Sequence, residues 1–186
     1  IMDLFNYQPR RSHEVHIGNK PLGGQQPLRL QSMTTTLTTD TEASVAQCIA
    51  IIEAGADYVR LTTQGVREAE NLRPIREALH RRGYDTPLVA DVHFPPKVAD
   101  VAAGIVEKVR INPGNYVDPA RAVKELEYTD EEYAAEVARV EERFVQLLDI
   151  CRAHGTAVRI GVNHGSLSDR IMGRYGDTPA GIGESC

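Results

Sequence analysis

The sequence predicts an α/β fold, a partial (β/α)8 TIM barrel of about five βα units out of eight. Three observations carry this prediction. Short runs rich in β-branched residues alternate strictly with stretches of helical periodicity, which implies a parallel sheet with right-handed crossovers. Polar residues stand repeatedly at the carboxyl ends of the predicted strands, where such folds place their ligands, and they are spread over at least four strands. No Gly-x-Gly-x-x-Gly turn follows any strand, which favours a barrel over a doubly wound sheet with one switch point. The chain has 186 residues, fewer than the ~250 of a whole barrel. It is therefore expected to be a truncated piece, with residues 1–27 a lead-in and residues 28–186 the barrel portion.

Taken in order, Asp3 to Gly24 reads as extended chain, with Val15 to Gly18 able to form a short hairpin strand before the turn residues Gly23 and Gly24. The arginines Arg10 and Arg11 read as a solvated arm. Leu28 to Met33 is the first strand. Asp40 then caps a helix whose Val45, Ile49 and Ile52 recur at helical spacing, and Gly55 ends it. Ala56 to Thr62, Leu88 to His93, Glu107 to Asn112 and Ala157 to Asn163 are the next four strands. Between them lie helices from Arg67 to Arg82, from Pro95 and Pro96 to Ala103, and a long charged connection read as two helices, Arg121 to Tyr128 and Asp130 to His154. The charges from Thr129 to Arg143 suit a solvated face. Ser166 is expected to cap a further helix carrying Arg170, Ile171 and Met172, and another helix to begin near Gly183.

Composition sets several function classes aside. Hydrophobic residues make up 41% of the chain, enough for an ordinary core, and the net charge of -5 with 5% aromatics and no Trp argues against nucleic acid. No run suits a membrane span and Ile1 to Arg11 lacks a signal-peptide core, so the expected location is the cytoplasm. Cys48, Cys151 and Cys186 are widely spaced, without a Cys-x-x-Cys pair, so local spacing supports no metal site and reduced thiols are expected.

The chemistry lies at the strand ends. Residues two apart share a face, which pairs Arg60 with Thr62, Asp91 with His93 and Arg110 with Asn112, and sets Arg159 in line with Asn163. In Val109-Arg110-Ile111-Asn112-Pro113-Gly114-Asn115 the proline and glycine stop the strand abruptly and hold the arginine and the amide at its mouth. Three arginines from three strands call for an anionic ligand, and phosphate or diphosphate matches their fixed donor forks. The competing expectation is internal pairing with Asp57, Asp91 or Glu107. Asp91-x-His93 suits an oriented imidazole for proton transfer, a divalent metal, or a buried hydrogen bond. Val162 to Leu167 sets a strand end on a helix start, where free N–H groups suit a phosphate oxygen.

Together, Gln31 to Thr34 with Thr38 to Asp40, Gly55 to Arg60, Leu88 to Phe94, Val109 to Asn115, Arg159 to Asn163 and Gly165 to Leu167 resemble the 4-hydroxy-3-methylbut-2-enyl diphosphate synthase family from about Arg10 to Cys186. The resemblance implies an N-terminal TIM barrel that binds 2-C-methyl-D-erythritol 2,4-cyclodiphosphate, and a C-terminal domain with a [4Fe-4S] cluster held by three cysteines and a glutamate. None of those cluster ligands is assigned in this chain, and no cofactor or metal is expected in it. The implied activity is the two-electron reductive ring opening of isoprenoid biosynthesis by the non-mevalonate pathway. Its implied partners are a flavodoxin- or ferredoxin-type donor and a second copy in a homodimer. Carried over by motif, Arg60, Arg110 and Arg159 match the family's diphosphate-binding arginines, with Asn112 and Asn163 beside them as substrate-binding residues, and Asp91 and His93 match its Asp-x-His as the candidate catalytic residues, to move protons or to position substrate. The charged connection and Asn163 to Arg170 resemble the long, insert-bearing forms of plants, chlamydiae and Bacteroidetes. The alternative is another barrel enzyme, a pterin-binding transferase or a metal-dependent aldolase. By itself the chain is expected to be colourless, inactive and prone to self-association through its open edges.

Overall fold

The computed structural model describes residue 6 and residues 10–93, 95–113, 116 and 128–186. Five parallel strands, β1 (Gln31–Met33), β2 (Tyr58–Thr63), β3 (Leu88–Val92), β4 (Lys108–Ile111) and β5 (Ala157–Ile160), lie side by side in chain order. Helices α1 (Thr41–Glu53), α2 (Val66–Arg81), α3 (Pro96–Ala103) and α4 (Asp130–His154) make the crossovers, and α5 (Asp169–Tyr175) and α6 (Pro179–Ser185) follow β5. This is the strand order of an unclosed (β/α) barrel.

Alternation divides the sheet into two faces with different cores. Val59, Leu61, Leu88, Ala90, Val92, Val109 and Ile111 pack outward against Val45, Cys48, Leu72, Ile75, Leu79, Val98, Ala102 and Leu147 of the helices. Tyr58, Val89 and Ala157, on the opposite face, form a smaller apolar cluster with Ile17. Ile17 belongs to a hairpin closed by the antiparallel pair Val15 and Leu22, and Gly18 makes the turn at φ 53°. The Tyr58 hydroxyl donates to the Lys20 carbonyl at 2.5 Å. The lead-in therefore plugs the amino-terminal end of the inward face.

Local grammar accounts for most boundaries. Asp40 accepts from the Ala43 N–H and caps α1. Thr129 and Glu132 form a reciprocal capping box at α4, and Gly155, at φ 68°, ends that helix in the left-handed region where glycine costs least. Four expectations are corrected. The first strand starts at Gln31, since the Leu30 N–H is taken by the Asp57 carboxylate at 3.0 Å and Leu28 is 96% exposed. Ser166 does not cap α5: it closes a 3-10 turn (His164–Ser166), and Ser168 occupies the cap position. The fifth strand also stops at Ile160, with Asn163 beyond it in extended backbone. The final helix starts earlier than expected, at Pro179, with Thr178 as its cap. The expected helix from Arg121 to Tyr128 lies, apart from Tyr128, outside the described residues.

Candidate functional site

Because Tyr58, Val89 and Ala157 face inward, period-two alternation carries Arg60 and Thr62, Asp91 and His93, Lys108, Arg110 and Asn112, and Arg159 and Gly161 to the same side. Strand register then makes neighbours of them. Thr62 lies opposite Asp91, Asp91 opposite Arg110, and Arg110 opposite Arg159.

The centre is Asp91, whose side chain is 2% exposed. Arg60 Nη2 reaches its Oδ2 at 2.5 Å and Arg110 Nη1 its Oδ1 at 3.2 Å, while His93 Nε2 stands 3.4 Å from Oδ2. One carboxylate thus orients two guanidinium groups. Asp57 and Glu107, the other acids considered as internal partners, are engaged elsewhere. Asp57 binds Lys20 and Arg29, and the Leu30 N–H holds its carboxyl below the usual value. Glu107 binds Arg76 and the Leu88 N–H. The Nε atoms of Arg60 and Arg110 are buried and have no acceptor among the described residues.

Arg110 also donates through Nη2 to the Gly161 carbonyl at 3.0 Å. A Cβ built on Gly161 would stand 2.1 Å from Arg110 Nε, so the guanidinium lies where any other side chain would be. Asn112 donates to Ser166 Oγ at 2.7 Å, and Ser166 Oγ donates to Asn163 Oδ1 at 2.9 Å. These contacts bind the ends of β4 and β5 into one polar rim. Arg159 stands apart, exposed and outside the Asp91 cluster. Thr62 contributes its carbonyl to the Thr38 hydroxyl at 2.6 Å.

Four inward cations, Arg60, Lys108, Arg110 and Arg159, face one inward carboxylate among the described residues of the five strands, an excess of three positive charges. Such an excess of positive charge makes this face electrostatically favourable to anions. Of these cations, the sequence reading missed Lys108. It lies two residues before Arg110, so extending the alternation one step would have found it. Gly161 was missed as well, although a glycine at a strand end signals close approach.

No group of three His, Cys, Asp or Glu side chains suited to a metal ion occurs among the described residues. The cysteines do not fit an iron-sulfur cluster either. Burial pushes the Cys48 thiol up to about 12 and, with Asp100 nearby, the Cys151 thiol up to about 11, both away from the thiolate that binds metal. Cys186 is exposed and distant in sequence from both. No described helix is long and apolar enough to cross a membrane.

The family model described as the GcpE TIM-barrel domain matches residues 12–186. A 4-hydroxy-3-methylbut-2-en-1-yl diphosphate synthase (flavodoxin) of Phocaeicola vulgatus is 68% identical over 185 residues, covering 100% of this chain and 30% of the relative. A protein of the same name from Protochlamydia amoebophila is 50% identical over 182 residues, 98% of this chain and 28% of the relative. The chain thus spans about 30% of the length of the curated relatives it matches. Among solved structures, dihydropteroate synthase of Xanthomonas albilineans aligns with a TM-score of 0.43 at 19% identity, covering 86% of this chain and 69% of that one.

Proposed function

The chain belongs to the GcpE TIM-barrel domain family, and on that premise we propose that it is the substrate-binding barrel part of a 4-hydroxy-3-methylbut-2-enyl diphosphate synthase. Its ligand is 2-C-methyl-D-erythritol 2,4-cyclodiphosphate, and the reaction of the whole protein is two-electron reductive ring opening in isoprenoid biosynthesis. One observation carries the reading: Arg60 and Arg110 are held on the single carboxylate Asp91 with buried Nε–H groups still to be satisfied, beside the open Arg159.

In this reading the arginines are set before the ligand arrives. Both oxygens of Asp91 are on guanidinium groups, so Asp91 is a positioning residue that fixes the direction of two donor forks. The same occupation counts against a metal-dependent aldolase, because Asp91 offers no free oxygen to a cation. Asn112 and Asn163, joined through Ser166, line the rim and supply neutral donors to the ligand's oxygens. Arg159 closes on the diphosphate from β5. His93 is the group beside this cluster suited to moving a proton.

The [4Fe-4S] cluster is assigned to parts of the whole protein outside this sequence, since the cysteines here do not fit it. The flavodoxin-type electron donor named for the relatives is assigned to those parts too. The whole protein is expected to act as a cytoplasmic homodimer, in which residues 28–186 are barrel and the lead-in closes its floor.

The test is calorimetric titration of the cyclodiphosphate into the chain at low and high salt, beside Arg110→Ala. Salt-sensitive binding that the variant loses is expected. Salt-insensitive binding, or binding that Arg110→Ala retains, overturns the reading.

A further inference from the structure

We propose that Lys108 is a further anion-binding residue, its ammonium taking phosphate oxygens of the ligand from below while the arginines hold it at the rim. This rests on the diphosphate reading above and adds a residue to it.

Lys108 is 8% exposed, on the inward face of β4 directly below Arg110. Its surroundings are the apolar floor of Ile17, Tyr58, Val89 and Ala157. Its ammonium lies over the ring of Tyr58, 5.4 Å from the centroid. A cation in such a place is costly unless something pairs with it. The charged and titratable groups close to it are Tyr58 and Arg60 from β2 and Arg159 from β5, with Asp91 of β3 and Arg110 of β4 in the next inward layer. Asp91 is the one carboxylate among them, and two arginines occupy its oxygens. The sheet therefore brings like charge to Lys108 and leaves the opposite charge to come from elsewhere. Burial, then Arg159 and Arg60, hold its pKa below the usual lysine value. A diphosphate presents oxygens on more than one side, so a cation below the rim complements those at it.

An anion bound at this position favours the charged ammonium, so at alkaline pH ligand uptake draws a proton toward Lys108 that an arginine at the same place would not need. The experiment titrates inorganic pyrophosphate into the full chain at about pH 9, below the ordinary lysine value of 10.5. It uses two buffers of different ionisation enthalpy, with Lys108→Met, Lys108→Arg and Arg110→Met alongside and circular dichroism confirming that each folds. Lys108→Met is expected to bind about ten- to a hundredfold more weakly, the loss of one charge-assisted contact. Lys108→Arg is expected to bind within a fewfold of wild type but with a smaller proton uptake. Wild-type affinity in Lys108→Met, with binding lost in Arg110→Met, overturns this inference and leaves the diphosphate reading standing. If the folded wild-type chain binds no pyrophosphate, or Arg110→Met binds as wild type does, both readings fall.

Discussion

Gly161→Ala should break the site without touching any charged residue. A Cβ at Gly161 would lie 2.1 Å from Arg110 Nε and 2.8 Å from its Cζ and Nη2. Ordinary contact begins near 3.4 Å, so the guanidinium must retreat by more than an ångström. That retreat removes its bond to the Gly161 carbonyl, now 3.0 Å, and strains the 3.2 Å bond to Asp91. Hydrogen bonds to charged groups are worth about 1.5–3 kcal/mol each. Alanine recovers about 0.5–1 kcal/mol by restricting the unfolded chain. The expected net loss is about 0.5–2.5 kcal/mol, the lost bond less that recovery. The decisive form is a double-mutant cycle with Arg110→Ala, which removes the side chain that the new methyl strikes. In that background Gly161→Ala should be neutral or slightly stabilising, giving a coupling of about 2–3 kcal/mol. Urea unfolding followed by far-ultraviolet circular dichroism is the assay, because the chain contains no Trp to report by fluorescence. Penalties that add within about 0.5 kcal/mol would show that Arg110 does not lie over Gly161, and the reasoning would fail.

Asp91→Asn should destabilise the chain by about 3 kcal/mol, since it leaves two partly buried guanidinium groups facing each other without their counter-charge. Urea midpoints of wild type and variant measure this, and a change below 1 kcal/mol would mean that the pair is solvated. A second expectation concerns alkaline pH. The Cys48 thiol, fully buried, is raised from 9.0 to about 12, so the folded state keeps a proton that the unfolded chain gives up. Its contribution is complete below pH 9, shrinks as pH rises through that window at up to about 1.4 kcal/mol per unit, and is spent above about 12. Unfolding measured from pH 8 to 10.5 should show this fall in wild type and a shallower one in Cys48→Ala; identical slopes would refute it.

How much of this was legible in the sequence depends on the kind of information each feature needs. The helix Asp130–His154 was readable because its stripe of Val137, Val140, Phe144 and Leu147 and its terminal glycine are local signals. The shared face of Arg60, Asp91, Arg110 and Arg159 followed from the period of a strand. That Asp91 would sit between Arg60 and Arg110 did not, because inter-strand register is set by packing and by the lengths of connections. Ser166 read as the cap of α5, but its hydroxyl is engaged by Asn112, which comes from another strand, and by Asn163, while Ser168 holds the cap position without a side-chain bond. Lys108 was missed since a lysine in a strand is ordinarily read as snorkelling to solvent, and its burial exists only once Ile17 has closed the floor.

That closure has a consequence for the order of assembly. The plug precedes every strand of the sheet in the sequence, yet the floor it sits in includes Ala157 on β5. The hairpin can close early, as its contacts are local, but its seat is complete only once β5 has been added. Until then Ile17 has an unfinished surface to bury against, and the cost of bringing such distant segments together falls late in folding. Docking of the lead-in therefore reports that the sheet is finished, and an amide-exchange pulse during refolding should find its backbone protected last.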